Sequence, residues 1–220
     1  MQKKNLLNLV IIPIITILVS TVVGILFKNS VWSIISLVAG FLNAYYSAIG
    51  KWYNYIYGII FSFTYSLNCY FAGLFGFAIF TILIYTPMQL YGLINWRKNK
   101  QNSEVKMRSL NLKKATLLCI IIITLSLGVG FLLSLIPEQR LSFLDATSQL
   151  TNVAGVFLLM IRYRESWYIW LFQNIIDLTI WIINFANNIK DSQMLLITCI
   201  MYLIMNIIGV IYWIRIERQQ

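Results

Sequence analysis

The sequence contains no histidine and few charged residues of either sign. Lysine, arginine, aspartate and glutamate make up 11% of the chain, whereas soluble domains average about 25%. The absence of histidine removes the commonest proton-transfer residue. Three dispersed cysteines, Cys69, Cys119 and Cys199, form no CxxC pair, so they predict neither a disulfide framework nor a zinc site. We therefore expect no metal, no cofactor and no catalytic group.

Apolar residues fill the space that the missing charges leave. They account for 60% of the 220 residues, and the mean hydropathy is +0.77, which is typical of an integral membrane protein. Near the N-terminus, Lys3 and Lys4 precede an apolar run from about Leu6 to Phe27. Signal-peptide cores are only about 7 to 15 residues long and end at a small-residue cleavage site. We therefore expect a retained membrane helix here.

Charges and turn residues divide the chain into eight apolar segments. A helix needs about 20 mostly apolar residues to cross the hydrocarbon layer, and each segment is close to that length. The predicted spans are 5–27, 31–50, 52–72, 75–96, 113–136, 142–161, 166–187 and 192–214.

The lysines and arginines test this division, because cytoplasmic loops are enriched in them. With eight spans, 14 of the 17 basic residues lie on the side of the two termini, and only Lys28, Arg140 and Lys190 lie on the other. The distribution predicts a plasma-membrane protein with both termini in the cytoplasm. The net charge of +10 is then a topology signal, so we expect no nucleic-acid partner. The basic loop after the fourth span could also touch anionic lipid.

The chain also resembles itself. The segment VAGFL from Val38 matches VAGVF from Val153 at an offset of 115, which aligns Trp52 with Trp167 and Tyr55 with Trp170. A second block has an offset of 117 and the spacing Tyr-x3-Gln/Asn-x2-Gly-x3-Trp. Its paired positions are Tyr85 and Tyr202, Gln89 and Asn206, Gly92 and Gly209, and Trp96 and Trp213.

This repeat predicts an all-α membrane protein with two parallel three-helix repeats joined by one helix, a 3-1-3 arrangement, plus an extra N-terminal helix. The predicted boundaries are 1–30 for the extra helix, 31–97 for the first repeat, 98–140 for the basic loop and linker helix, and 141–220 for the second repeat with the C-terminus. Transporters built from parallel repeats bind substrate near the midplane between the halves.

The seventh span carries the most informative face. Trp167, Trp170, Asn174, Asp177, Trp181 and Asn184 follow one another at spacings of 3, 4, 3, 4 and 3, which places them on one side of a helix. A carboxylate at the centre of a membrane helix costs at least about 2.5 to 3.5 kcal/mol. This face therefore looks into the protein or into a wet cavity.

Structural roles for these residues stay open beside the functional one. Trp167 could anchor the helix at the membrane surface, Trp170 and Trp181 could pack, and Asn174 could bond a neighbouring helix. As a binding surface, indoles attract flat rings and cations, and amides read hydroxyls or a carboxamide. Further candidate residues lie on the second and fourth spans: Asn43, Tyr85, Gln89 and Asn95.

The chain resembles the PnuC family of vitamin transporters over about residues 31–215. The segment RYRESWYIWLFQN is similar to the family's basic-x4-Trp-x2-Trp-x3-Asn pattern, with Trp167, Trp170 and Asn174 in place. The segments QLYGLINW, and LSFLDATSQ with Phe143 and Asp145, add to the resemblance. Leu93, Ile94 and Asp177 depart from what the family leads us to expect, on or near the presumed pocket.

The resemblance implies a SWEET-like fold, a homotrimer and facilitated uptake of a vitamin nucleoside, in the first place nicotinamide riboside, which a cytoplasmic kinase then traps by phosphorylation. Together with the face described above, it gives a set of expected substrate-binding residues: Trp167, Trp170, Asn174, Asp177, Trp181, Gln89, Asn95, Tyr85, Tyr202, Asn206 and Asn43.

Other functions stay open. The departures leave thiamine or (deoxy)nucleosides as alternative substrates, and Asp177 could serve a proton-coupled carrier. A receptor or assembly subunit without transport is a further class. An intramembrane enzyme would need paired carboxylates, a serine with histidine, or metal ligands, and the sequence assembles none of these.

Overall fold

The chain folds into α-helices joined by short turns. The computed structural model describes residues 11, 13–15, 17–19, 21–22, 25–26, 30–71, 81–101, 104–137, 139–188 and 192–217. The helices bounded within these residues are α1 Val31–Ala48, α2 Asn54–Phe71, α3 Thr86–Lys98, α4 Leu112–Ser134, α5 Ser142–Met160, α6 Glu165–Ala186 and α7 Ser192–Glu217. Two-residue strands, β1 Lys100–Gln101 and β2 Glu104–Val105, pair antiparallel after α3.

These bounds agree with the predicted spans from 31 onward to within a few residues, except that the start of the span at 75–96 lies outside the described residues. Of the first predicted span, 5–27, the described positions are helical. Lys3, Lys4, Lys28 and Lys190 lie outside the described residues.

Length and composition suit several of these helices to a bilayer. Within the described residues, α1, α4, α5 and α6 are long and apolar enough to cross a membrane, and α7 holds a shorter apolar stretch, Tyr202–Arg215. The chain is a multi-pass membrane protein.

Local chemistry explains where several helices begin. The hydroxyl of Ser30 accepts the backbone N–H of Ser33 (3.1 Å) ahead of α1, and the side chain of Asn111 accepts that of Lys114 (2.9 Å) ahead of α4. Such caps satisfy N–H groups that have no partner within the helix. Before α3, a π-helical turn, Thr81–Tyr85, leads into Pro87 at the start of the helix. Proline lacks an N–H and collides with the carbonyl four residues earlier, and a wider turn accommodates both effects.

The helices form two compact units, Met1–Val105 and Lys106–Gln220. In the first unit, α1 packs on α2 and α2 packs on α3. In the second, α4 packs on α5, α5 on α6, and α6 on α7.

Each unit contains the same hydrogen-bonded turn between its paired helices. In the first unit, Gly50 adopts a φ of 67° after α1, and in the second, Arg162 adopts a φ of 70° after α5. The N–H of Lys51 bonds the carbonyl of Tyr46 (2.9 Å), and the N–H of Tyr163 bonds that of Leu158 (2.9 Å). Each residue of the first turn lies 112 positions before its counterpart in the second. The counterparts are Gly50 and Arg162, Lys51 and Tyr163, and Tyr46 and Leu158.

The structure therefore corrects the predicted offset of 115 for this part of the repeat. Trp167 corresponds to Tyr55, and Trp52 lies in the turn, with the guanidinium of Arg97 5.5 Å from its ring centroid. The VAGFL match failed because small apolar residues fit almost any helix position, whereas the turn requires a left-handed residue. That residue is a glycine in one unit and an arginine in the other, which conceals the match.

The offset of 117 for the last helix of each unit is confirmed by equivalent packing. A Cβ on Gly92 would lie 2.5 Å from Cζ of Tyr55, and one on Gly209 would lie 2.6 Å from Cδ2 of Trp167. The ring centroids of Tyr55 and Trp96 are 5.1 Å apart, and those of Trp167 and Trp213 are 5.9 Å apart. In both units, a glycine on the last helix admits a buried aromatic ring from the middle helix.

Candidate substrate site

The polar face of α6 is turned away from the outer surface of its unit. Most of the exposed residues of the helix lie together on the opposite side: Tyr168, Phe172, Ile175, Thr179, Ile182 and Ala186. Phe185, in the last turn, is exposed as well. All six residues of the predicted face are buried or half-buried. The helical spacing thus separated correctly the side of α6 that suits lipid from the side that faces protein.

Trp167 lies deepest on this face. It is 2% exposed, with its ring against Gly209 and edge-on to Trp213. The indole Nε1–H has no hydrogen-bond partner in the described part of the chain. Packing is therefore a role that Trp167 fills, and its buried indole N–H needs an acceptor that the described residues do not supply.

Trp170 lies one turn further along and is half-buried. Its ring meets that of Trp167 edge-on at 5.2 Å. It also covers Gly155 of α5, where a Cβ would lie 2.7 Å from the indole Cδ1. The indole thus occupies the space that a side chain at position 155 would fill.

Asn174 is bonded to the last helix. Nδ2 of Asn206 on α7 donates to Oδ1 of Asn174, and the two residues are 9% and 5% exposed. Each amide offers two donor hydrogens and an acceptor oxygen. One hydrogen bond leaves most of that capacity free, so the pair can hold the helices together and still bind a ligand.

Asp177 is half-buried and held by two neutral donors. The hydroxyl of Ser148 on α5 donates to Oδ1 at 2.5 Å. Nε2 of Gln173, one turn earlier on α6, donates to Oδ2 at 3.3 Å. Neither Ser148 nor Gln173 was predicted. The i, i+4 spacing of Gln173 and Asp177 could have shown one of these contacts, but nothing in the local sequence marks Ser148.

Two further predicted site residues belong to the second unit, Trp181 on this face of α6 and Tyr202 on α7. Trp181, one turn after Asp177, is half-buried. Tyr202 is 36% exposed and lies one turn before Asn206 on α7.

The first unit contains an amide cluster at the equivalent helix contact. A Cβ on Gly58 would lie 2.7 Å from Cδ of Gln89 and 2.8 Å from Nδ2 of Asn43. Asn43 Nδ2 donates to the carbonyl of Asn54 at 3.0 Å. Gln89 is 8% exposed, and its Oε1 has no partner among the described residues. In the first unit, the α1 side chain that lies against the glycine is that of Asn43, and the glycine is Gly58 of α2. In the second unit the roles are exchanged, because Trp170 of α6 lies against Gly155 of α5.

The other candidates in the first unit lie toward the two ends of α3. Tyr85 is half-buried and closes the π-helical turn. Asn95 accepts Nδ2 of Asn99 through its side-chain oxygen at 3.1 Å. Ile94, expected on or near the pocket, is 54% exposed. It lies on the outer side of α3, whereas Leu93 is half-buried, and Asp177 is the departure whose hydrogen bonds are described inside its unit.

The described part of the chain holds no group of three or more potential metal ligands. The polar side chains described above beside Asp177, those of Ser148, Gln173, Asn174 and Asn206, are neutral hydroxyls and amides. Such a set suits reversible binding of a small polar solute.

Comparison with known proteins identifies what this arrangement resembles. Residues 30–215 match the family described as nicotinamide mononucleotide transporter. A nicotinamide riboside transporter PnuC from Neisseria mucosa is 26% identical over 208 residues, covering 91% of this chain and 78% of that protein. A protein of the same name from Haemophilus influenzae is 30% identical over 157 residues, covering 68% and 67%.

A solved structure has the same fold. The crystal structure of the vitamin B3 transporter PnuC superposes with a TM-score of 0.74 at 24% sequence identity, covering 94% of this chain and 90% of that one.

Proposed function

Because the chain belongs to the PnuC family, described as nicotinamide mononucleotide transporters, we propose that it carries nicotinamide riboside across the cell membrane. Two relatives named as nicotinamide riboside transporters match most of its length. The observation that carries the proposal is the polar face of α6, where indoles, the amide of Asn174 bonded to Asn206 of α7, and a carboxylate follow one another inside a membrane protein. Neither lipid nor simple helix packing requires that combination.

The contacts of this face suit the two parts of such a substrate. The indole of Trp170 offers a flat surface for a pyridinium ring, a contact worth about 0.5 to 2 kcal/mol. The free hydrogens and lone pairs of Asn174 and Asn206 complement a carboxamide or ribose hydroxyls. Trp167 contributes an unpartnered indole N–H.

The remaining predicted residues complete the proposed set of contacts. Trp181 and Tyr202 lie along the same helices in the second unit. The first-unit set is supported by the unpartnered Oε1 of Gln89 beside Asn43, with Tyr85 and Asn95 on the same segment.

The transport mechanism that we propose is facilitated diffusion with metabolic trapping. The described polar face contains no histidine, since the whole sequence has none, and this disfavours a proton relay. A carrier that only equilibrates its substrate accumulates it when a cytoplasmic kinase phosphorylates the arriving nucleoside. The competing proposal is a proton-coupled carrier that uses Asp177.

The finer architecture follows the same family. We propose eight spans in a SWEET-like 3-1-3 arrangement after an extra N-terminal helix, with the predicted boundaries 1–30, 31–97, 98–140 and 141–220, and assembly as a homotrimer. The equivalent turns at Gly50 and Arg162 support the repeat. The asymmetry of basic residues supports cytoplasmic termini.

The test of substrate identity is a titration of the purified protein in detergent, followed by intrinsic tryptophan fluorescence. The ligands are nicotinamide riboside, thiamine, riboflavin and deoxynucleosides. Three of the seven tryptophans, Trp167, Trp170 and Trp181, lie on the α6 face, so a stacking ligand changes the signal. We expect saturable quenching by nicotinamide riboside alone.

Two variants decide whether the quenching reports this site. Asn174→Ala weakens it, whereas Ile175→Ala, at a neighbouring position that is 61% exposed, leaves it unchanged. Saturable quenching by thiamine or a deoxynucleoside in place of nicotinamide riboside would reassign the substrate.

A further inference from the structure

Asp177 is a carboxylate that forms no ion pair with a described residue. Ser148 and Gln173 are its hydrogen-bond donors, and no lysine or arginine of the described chain forms an ion pair with it. Neutral donors fix the position of a carboxylate but do not cancel its charge. A charge inside a membrane span is normally paired or serves a function.

The titratable groups near Asp177 do not neutralise its negative charge. On α5, Asp145 is a second carboxylate near Asp177, and within the described residues its side chain accepts the neutral Nε2 of Gln139 at 3.1 Å. From α7, the group that interacts with Asp177 is the thiol of Cys199, which is 7% exposed. Within the described second unit, the titratable neighbours of Asp177 are thus a second carboxylate, Asp145, and an uncharged thiol, Cys199, and neither supplies positive charge.

The hydrogen bonds hold the carboxylate in a fixed orientation. Ser148, 5% exposed, is anchored on α5, while Gln173 belongs to the same helix as Asp177. Each carboxylate oxygen receives one donor, and each therefore keeps acceptor capacity. A ligand meets a preoriented anion here.

Aromatic residues flank that anion along the helix. Trp170 lies seven residues before Asp177 and Trp181 four residues after it, both on the protein-facing side of α6. Indole faces attract cations. Flanking indoles around an unpaired carboxylate are the recognition chemistry for a flat, positively charged ring.

We propose that Asp177 is a specificity-determining residue that pairs with the positive charge of an aromatic cation, selecting the oxidised, cationic nicotinamide ring over a neutral ring of the same shape. This inference rests on the proposed function. It adds a charge selection that neither packing nor the amide pair supplies. Ser148 and Gln173 act as positioning residues through their hydrogen bonds to the carboxylate.

The experiment compares two ligands that differ mainly in charge. Nicotinamide riboside and its reduced dihydro form share the ribose and the carboxamide, but only the first carries a positive ring. Isothermal titration of the full chain in detergent gives the dissociation constant of each. We expect the wild-type protein to bind the cation at least about tenfold more tightly, as befits an ion pair in a partly desolvated site.

The decisive variant is Asp177→Asn, which keeps the shape of the side chain. We expect it to lose about tenfold or more in affinity for the cation, with less than a threefold change for the neutral ligand. Glu165→Gln is the matched control, because it removes a carboxylate from the start of the same helix, and we expect it to preserve the selectivity. Thermal unfolding in the same detergent verifies that both variants are folded.

A second variant, Ser148→Ala, tests the proposal if Asp177→Asn does not fold. Ser148→Ala keeps the charge of Asp177 and removes one orienting bond. We expect cation selectivity to persist in this variant, with a smaller loss of affinity.

The outcomes separate this inference from the proposed function. Equal binding of both ligands by the wild-type protein overturns the role of Asp177 and leaves nicotinamide riboside transport standing. An equal loss of both ligands in Asp177→Asn assigns the residue to structure and also overturns the inference. Binding of neither ligand by the wild-type protein refutes the proposed function itself.

Discussion

The hydrogen bond between Asn174 and Asn206 gives the sharpest quantitative prediction, because both amides are about nine-tenths buried or more. Asn206→Ala removes the donor and leaves Oδ1 of Asn174 without it. An orphaned buried acceptor costs about 1 to 3 kcal/mol in soluble proteins. Interhelical hydrogen bonds in a membrane protein average about 0.6 kcal/mol and reach about 1.7. Given the burial of both partners, we expect a coupling free energy of about 1 kcal/mol.

A double-mutant cycle measures this coupling. The four proteins are the wild type, Asn174→Ala, Asn206→Ala and the double variant, and the quantity is the free energy of unfolding in detergent micelles titrated with a denaturing detergent. The double variant should lose less stability than the two single variants together, because the second substitution no longer breaks a bond. The matched control cycle uses Ile175→Ala and Ile207→Ala, which are 61% and 45% exposed and should be additive.

Ligand affinity provides the second readout of the same cycle. If the amide pair also forms hydrogen bonds to the substrate, each single variant weakens nicotinamide riboside binding. The weakening then persists at a lower temperature, at which the variant is fully folded. Additive unfolding free energies in the Asn174 cycle would show that the hydrogen bond does not couple α6 to α7, and the reasoning from burial would be refuted.

The remaining predictions concern close packing and energy coupling. Gly209→Ala should lower the unfolding free energy by about 1 to 3 kcal/mol, the usual cost of overpacking, because its Cβ would lie 2.6 Å from Cδ2 of Trp167. Gly128→Ala is the control, since a Cβ there meets nothing within 4 Å. Equal thermal stability of the two variants would contradict the packing. Gly155→Ala should displace the indole of Trp170 and raise the dissociation constant for nicotinamide riboside several-fold, measured by titration, with Gly128→Ala again unchanged. Uptake into vesicles should be the same with and without a proton uncoupler, whereas loss of uptake with the uncoupler would favour the proton-coupled alternative.

The sequence was most informative where a single helix decides the outcome. The face of α6 follows from the 3.6-residue period alone, and the exposed positions Tyr168, Phe172 and Ile175 lie where that period requires. The helix bounds followed similarly from apolar length and from turn residues. These properties are local, so a sequence contains them directly.

Contacts between helices could not be read in the same way. The bond from Ser148 to Asp177 joins residues 29 positions apart, and nothing near Ser148 in sequence distinguishes it from other helical serines. The pairing of Asn206 with Asn174 likewise depends on how α7 packs on α6, although both residues were predicted members of the site.

Residue types also revealed the equivalent positions of the two units only in part. Equivalent turns use Gly50 in one unit and Arg162 in the other, since backbone hydrogen bonds hold either residue at positive φ. Equivalent helix contacts place the large side chain on opposite partners, Asn43 against Gly58 and Trp170 against Gly155. Comparing residue types at aligned positions therefore matched the last helices of the two units at the offset that their packing shows, but misplaced the first block by three residues.

Substrate counterflow in proteoliposomes tests the central claim most directly. Vesicles that hold the protein are loaded with unlabelled nicotinamide riboside, and labelled substrate is added outside without an ion gradient or a kinase. A facilitative carrier predicts transient accumulation of label with the wild-type protein and with Ile175→Ala, and a strong reduction with Asn174→Ala. Accumulation no greater than in protein-free vesicles, or full exchange by Asn174→Ala, would contradict the account.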